Sequence, residues 1–218
     1  DVIREHYDLG GVAVPRQLET THQRRHRKMV VETSQGFFMA KTYRNDPASV
    51  DSLYFQHRLS EFLAENGLPV AKIRATRDGR TFVVQDTWCL ELQQFVLGHS
   101  MMVNEATLQV SGSALGRLHQ VCQGMPVPPR DARKWRFSEV PQETFQKFYE
   151  MALKERADQK IQGHCNNIVL FLQQAKEVLN IDKRYAFETG LIHGDWHGGN
   201  LLFDGDTLKA IIDLEFAG

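Results

Sequence analysis

Over about the first ninety residues, apolar positions alternate with polar ones or run in short blocks, a pattern of strands interrupted by one helix. Lys28–Thr33 and Gly36–Tyr43 read as the two strands of a hairpin turning over Ser34-Gln35-Gly36. A helix follows, with Asp46 as its cap and Pro47 in its first turn. Phe55, Leu59, Phe62 and Leu63 have the spacing of one buried face, and Gly67 ends the helix. Thr81–Gln85 and Cys89–Val96 read as a second pair of strands, joined near Asp86 and Thr87.

After Gly98 the period becomes helical. Asn104 caps a helix that places Leu108, Leu115, Leu118 and Cys122 on or near one face and ends at Gly124. Pro126–Arg130 is a proline-rich break. Pro141 opens a helix carrying Phe145, Phe148, Tyr149 and Ala152, and a further helix carries Ile168, Phe171, Leu172, Ala175, Val178 and Leu179. The last segment returns to strands, Leu201–Phe203 and Leu208–Ile212, around the turn Asp204-Gly205-Asp206. The expected organisation is a strand-rich lobe over residues 1–92, a connector over 93–99, and a helical lobe over 100–218 that ends in a loop and an acidic hairpin.

Composition narrows the class. The chain has 218 residues, 42% of them hydrophobic and 24% charged, enough for one large domain or two small lobes with cores. A formal charge of -1 gives no bulk attraction to nucleic acid or to a membrane surface, so neither is expected as a partner. No apolar run approaches the roughly 20 residues that span a bilayer. Cys89, Cys122 and Cys165 are few, odd in number and far apart, as in a cytoplasmic protein with reduced thiols. The opening at Asp1 and the end at Gly218 both read as cuts, with a C-terminal portion missing.

The chemistry concentrates in His193-Gly194-Asp195-Trp196-His197-Gly198-Gly199-Asn200 and in Ile211-Ile212-Asp213-Leu214-Glu215. Phosphoryl transfer needs a carboxylate to orient a hydroxyl and oxygen ligands to hold Mg²⁺ against a nucleotide, and these two pieces together supply that set. Either piece alone reads equally well as a polar turn or a surface acid. A second chemistry would take His193, Asp195 and His197 as ligands of a hydrolytic metal. Two histidines four apart suit a helix, and Gly194, Gly198 and Gly199 oppose one here. Lys41, within the apolar run Phe37-Phe38-Met39-Ala40, is costly to bury without an anionic partner, or else snorkels from the strand end into solvent.

The pattern His193-Gly-Asp-x-His-x-x-Asn200, followed by Ile-Asp213-x-Glu215, resembles the aminoglycoside phosphotransferase and choline kinase superfamily of small-molecule kinases. The resemblance implies an α+β, two-lobed, protein-kinase-like fold that uses ATP and Mg²⁺ to phosphorylate a hydroxyl of an amino acid, amine, sugar or aminoglycoside. It implies Asp195 as the catalytic carboxylate and Asn200 and Asp213 as the Mg²⁺ ligands. Lys41 would contact the nucleotide phosphates, and the backbone at Gln94 and Val96 the adenine edge. His193 would shape the loop. Glu215, sharing a strand face with Asp213, would support the metal shell or face the acceptor. His-Gly-Asp and Asp-Leu-Glu stand where protein kinases carry His-Arg-Asp and Asp-Phe-Gly.

Two departures from the family pattern matter. The lysine's usual partner is a glutamate on the following helix, and Gln56 occupies that position. The phosphate-covering loop, Thr20–Lys28, contains no glycine; Arg24 and Arg25 either replace its backbone contacts with charge or form a solvated hairpin. These departures keep a nucleotide-binding pseudokinase of the same fold as the alternative. His119 reads as a core histidine, and Trp196 as a residue that either stacks on a substrate or packs.

Overall fold

The computed structural model describes residues 2–11, 16–17, 27–125, 147, 150, 159–178 and 190–218. The expected break at Pro126–Arg130 and the body of the helix opened by Pro141 lie outside them. Asp1–Ala132 with Gly190–Gly218 forms one compact unit and Arg133–Thr189 a second. In the second, a helix runs over Gln159–Val178, and its Ile168 and Phe171 are exposed.

The first unit opens with helix α1 (Val2–His6) and an antiparallel five-stranded sheet. The strands are β1 (Arg16–Gln17), β2 (Lys28–Thr33), β3 (Gly36–Arg44), β4 (Phe82–Val84) and β5 (Trp88–Gln94), in the order β1-β2-β3-β5-β4. Thr33 pairs with Gly36, so the hairpin turns over two residues, and Gly36 has a φ of 114°. Alternation gives this sheet two unlike faces. One carries Val31, Phe38, Ala40, Leu90 and Leu92, packed under Ile3, Tyr7 and Leu9 of the N-terminal segment. The other carries Lys41, Tyr43 and Glu91, all buried.

Helix α2 (Pro47–Glu65) packs on that polar face. Asp46 caps it by accepting from the Ser49 N–H at 3.0 Å, and Gly67, at φ 77°, follows its end. Its buried face is Leu53, Gln56, His57, Leu59, Ser60 and Leu63; Phe55 and Phe62 are only partly buried.

After the connector, β6 (His99–Ser100) pairs with β7 (Leu201–Asp204), which pairs with β8 (Thr207–Ile211). Helix α3 (Glu105–Cys122) starts at a capping box between Asn104 and Thr107. The expected apolar face of α3 is rotated. Leu118 and Cys122 are buried, whereas Leu108 is 53% exposed and the buried positions in the first half are Thr107 and Ser111. His119, read as a core residue, is exposed. Leu59 and Leu63 of α2, Leu118 of α3, and Leu201, Phe203 and Ile211 of the hairpin share one core. Among the described residues no helix is long and apolar enough to cross a membrane.

Leu63 is fully buried at the junction of these elements. Leu63→Ala is expected to lower the unfolding free energy by about 3 kcal/mol, and Leu108→Ala by less than about 0.5 kcal/mol. Chemical denaturation of both variants checks this, and a loss of about 3 kcal/mol in Leu108→Ala would contradict the observed face of α3.

Candidate active site

The loop over residues 193–200 is held from both sides by the segment that follows β8. Ile192 and Gly218 exchange two backbone hydrogen bonds of 3.1 Å. Gly194 has a φ of 78°, and a Cβ there would stand 2.0 Å from the Phe216 carbonyl oxygen, so only glycine fits. His193 is 1% exposed. Its Nε2–H donates to the Ile212 carbonyl at 3.1 Å and its Nδ1 accepts the Asp195 N–H at 3.3 Å. Burial pulls the His193 pKa below the ordinary histidine value, against the Ile212 hydrogen bond and the charges of Asp195 and Asp213. With both ring nitrogens engaged, His193 has no lone pair for a metal. Trp196 packs: its indole donates to Ser111 Oγ at 3.1 Å, and its ring meets His193 edge-on with centroids 5.4 Å apart. That bond explains why α3 buries a serine where the apolar period predicted otherwise.

Asp195 and Asn200 form the next layer. The Asn200 amide donates to the Asp195 carbonyl at 2.9 Å and to Asp195 Oδ2 at 3.0 Å. His197 caps the Gly198–Asn200 turn through Gly199 N–H at 3.0 Å, and its Nε2 lies 3.5 Å from Asp195 Oδ2. The Asp195 side chain is 41% exposed. Ile212 N–H donates to the Asn200 carbonyl at 3.0 Å, which ties this loop to the residue before Asp213.

Asp213 is, among the described residues, the one non-glycine at positive φ (65°). That backbone costs roughly 1–2 kcal/mol for an L-residue and is most tolerable for Asn and Asp. It ends the strand: β8 stops at Ile211, and Leu214–Phe216 form a 3-10 turn. Asp213 and Glu215 therefore do not share a strand face, because the left-handed residue breaks the alternation between them. Glu215 is half-buried in that turn, and its charge contributes to raising the Tyr43 pKa, behind burial and Glu91.

The Asp213 carboxylate faces two ammonium groups. Lys28 Nζ is 3.2 Å from Oδ2 and Lys41 Nζ is 3.9 Å from Oδ1. Lys41 is 6% exposed, so the snorkelling alternative does not hold. Lys28 opposes Lys41 directly in the β2–β3 register. It escaped the sequence reading because it precedes the apolar run of its strand, and only that register marks it. Glu91 and His57, also unread, lie behind Lys41; a lone acid inside the apolar stretch Cys89–Val96 was the available signal for Glu91. Gln56 is buried and turned to Ser52 Oγ at 3.0 Å. At the connector, the Gln94 N–H is committed to the Lys72 carbonyl at 2.8 Å, whereas the Val96 peptide makes no backbone hydrogen bond among the described residues.

These residues fit a divalent cation beside a polyphosphate. The Asn200 amide nitrogen is spent on Asp195, which leaves its Oδ1 as an oxygen donor, and the backbone of Asn200 is bonded to Ile212, the residue before Asp213. Lys28 and Lys41 supply positive charge at the same carboxylate.

The fold is that of small-molecule kinases. The structure matches a spectinomycin phosphotransferase in complex with ADP and spectinomycin (TM-score 0.72, 12% identity, 99% of this chain and 67% of that one). It also matches a microcompartment-associated aminopropanol kinase (TM-score 0.69, 18% identity, 100% of this chain and 68% of that one). The family model of the phosphotransferase enzyme family matches residues 19–218, and the chain belongs to that family. It is 27% identical over 192 residues to a homoserine kinase of Rhodopseudomonas palustris (strain BisB18), covering 86% of this chain and 54% of that protein. It is 28% identical over 170 residues to a homoserine kinase of Zymomonas mobilis subsp. mobilis (strain ATCC 31821 / ZM4 / CP4), covering 77% and 49%. The chain thus spans about half the length of the curated relatives it matches.

The buried neutral His193 sets a pH dependence. Above the ordinary histidine value near 6.5 both folded and unfolded chains hold it neutral; below it the unfolded chain takes a proton that the folded one resists. Stability is expected to fall as pH drops through that value, His193 contributing up to about 1.4 kcal/mol per pH unit. His193→Gln should show a shallower fall between pH 7 and 5 in denaturant titrations; an unchanged slope would contradict the assignment.

Proposed function

We propose that the chain transfers the terminal phosphoryl group of ATP, with Mg²⁺, to a hydroxyl of a small molecule. The observation that carries this reading is the convergence of Asp195, Asn200 and Asp213 with Lys28 and Lys41. Asn200 fixes Asp195 Oδ2, which leaves Oδ1 to align the acceptor hydroxyl and take its proton as the new oxygen–phosphorus bond forms and the bond from the γ-phosphorus to the bridging oxygen breaks, releasing ADP. Asn200 Oδ1 and the Asp213 carboxylate would hold Mg²⁺, which when bound would supply charge neutralisation for the phosphates. Lys28 and Lys41 exchange Asp213 for phosphate oxygens. The peptide of Val96, and the carbonyl side of Gln94, offer the adenine edge its hydrogen-bonding partners within the 93–99 connector. Positioning and electrostatics carry the rate.

The acceptor is a hydroxylated amino acid, amine, sugar or aminoglycoside. The two homoserine kinases among the relatives support an amino acid or amino alcohol first.

The test is Mg²⁺-dependent phosphate transfer by the full-length protein against homoserine, aminopropanol, choline, sugars and aminoglycosides. Stimulation by one acceptor is expected, with Asp195→Asn losing about 10²- to 10⁴-fold in turnover while retaining nucleotide binding. Unchanged turnover in Asp195→Asn would remove it from catalysis. Bound Mg²⁺–ATP with no turnover on any acceptor would favour the pseudokinase reading. Lys28→Met should raise the KM for ATP, and an unaltered KM would exclude its phosphate contact.

A further inference from the structure

One buried ionic cluster stands behind the residues assigned above. Glu91 is 0% exposed in the middle of β5, directly opposite Lys41 in the β3–β5 register. Cross-strand partners on one face stand about 5 Å apart at Cβ, within reach of long side chains. The carboxylate accepts from Tyr43 Oη at 2.9 Å and from Gln93 Nε2 at 2.7 Å, both at Oε1. Its Oε2 lies 2.5 Å from Nε2 of His57, a residue of α2 that is 4% exposed. Burial alone would push the Glu91 carboxyl up, but the His57 hydrogen bond, the Lys41 charge and the Tyr43 hydrogen bond outweigh it and hold it below the ordinary carboxylate range. Glu91 is thus a fixed negative charge on the face that bears Lys41.

The helix itself offers Lys41 no carboxylate on its buried face, which consists of Leu53, Gln56, His57, Leu59, Ser60 and Leu63. What α2 provides instead is a donor to Glu91. A narrow cavity of about 20 Å³ lined by Gln56, His57, Gln93 and Asp213 brings the cluster to the back of the candidate metal ligand. Lys41 thus has two acids near it: Asp213, 3.9 Å from its ammonium, and Glu91, its cross-strand neighbour, whose charge it helps to stabilise. Only Asp213 is needed elsewhere once a metal–nucleotide binds. Glu91 stays, because its oxygens are already held by three side chains from β3, β5 and α2.

We propose that Glu91, braced by His57, is the positioning residue of Lys41, keeping its ammonium extended towards the nucleotide phosphates in place of a helix carboxylate. This rests on the kinase reading of the site. Through His57 the seat of α2 and the phosphate grip become one unit.

The experiment is a double-mutant cycle on the full-length protein, reading the affinity for Mg²⁺–ATP by calorimetry. Glu91→Gln is expected to weaken binding about 10- to 100-fold, the loss typical of removing an outer group that orients a binding one. In a Lys41→Met background, where there is no ammonium left to position, the same substitution should change affinity by less than about twofold. Equal weakening in both backgrounds, or none in the wild type, overturns the proposal and makes Glu91 a structural acid only. A wild type that fails to bind Mg²⁺–ATP overturns the kinase reading along with it. Melting curves establish which variants fold. If Glu91→Gln does not, the cycle is run with His57→Leu at the other end of the same hydrogen bond and reads the same way.

Discussion

Lys28 and Lys41 face each other across β2 and β3, and two ammonium groups at such a position repel unless an anion joins them. Asp213 is that anion, reaching the sheet from just beyond the end of β8, an edge strand of the described three-stranded sheet. The constraint governs what surrounds it. A carboxylate must be delivered to the edge of the strand-rich lobe, so β8 stops at Ile211 and the chain turns through a left-handed backbone at Asp213. Parallel pairing of Val70 with Ile211, and the Ile211 N–H bonded to the Pro69 carbonyl at 2.7 Å, fasten that strand end beside α2.

The loop that bears Asp195 is fixed by the next residue, Ile212. His193, held neutral by burial, bonds the Ile212 carbonyl, while the Ile212 N–H bonds the Asn200 carbonyl. The two backbone groups of Ile212, the residue before Asp213, therefore bond the loop that carries Asp195 and Asn200 at both of its ends. A charged imidazole at His193 would replace the acceptor Nδ1 by a donor and lose the Asp195 N–H bond. The neutral ring is thus the form that makes both of the hydrogen bonds His193 contributes to this loop.

Much of this was legible in the chain because the informative residues are close in sequence. Asp195 and Asn200 meet through a five-residue loop, and the Asp46, Asn104 and Gly36 signals act within one turn. What was not legible depends on register or tertiary packing. Lys28 becomes part of the site only because β2 and β3 align it with Lys41, and Glu91 and His57 only because α2 settles over β5. The buried face of α3 departs from its apolar periodicity because Thr107 and Ser111 are buried with satisfied hydroxyls. Nor is the break between Asp213 and Glu215 legible, because alternation carries no sign of a left-handed aspartate.

On the proposed function, Asp213 would exchange two lysines for a metal when nucleotide arrives. The most direct test is calorimetric titration of ATP into the full-length protein and its Asp213→Ala variant, each with Mg²⁺ and with EDTA. The exchange predicts that the wild type binds ATP more tightly with Mg²⁺ than with EDTA. It also predicts that the variant loses this difference and binds metal-free ATP at least as tightly as the wild type, its lysines no longer held by the carboxylate. An undiminished Mg²⁺ preference in Asp213→Ala would contradict it.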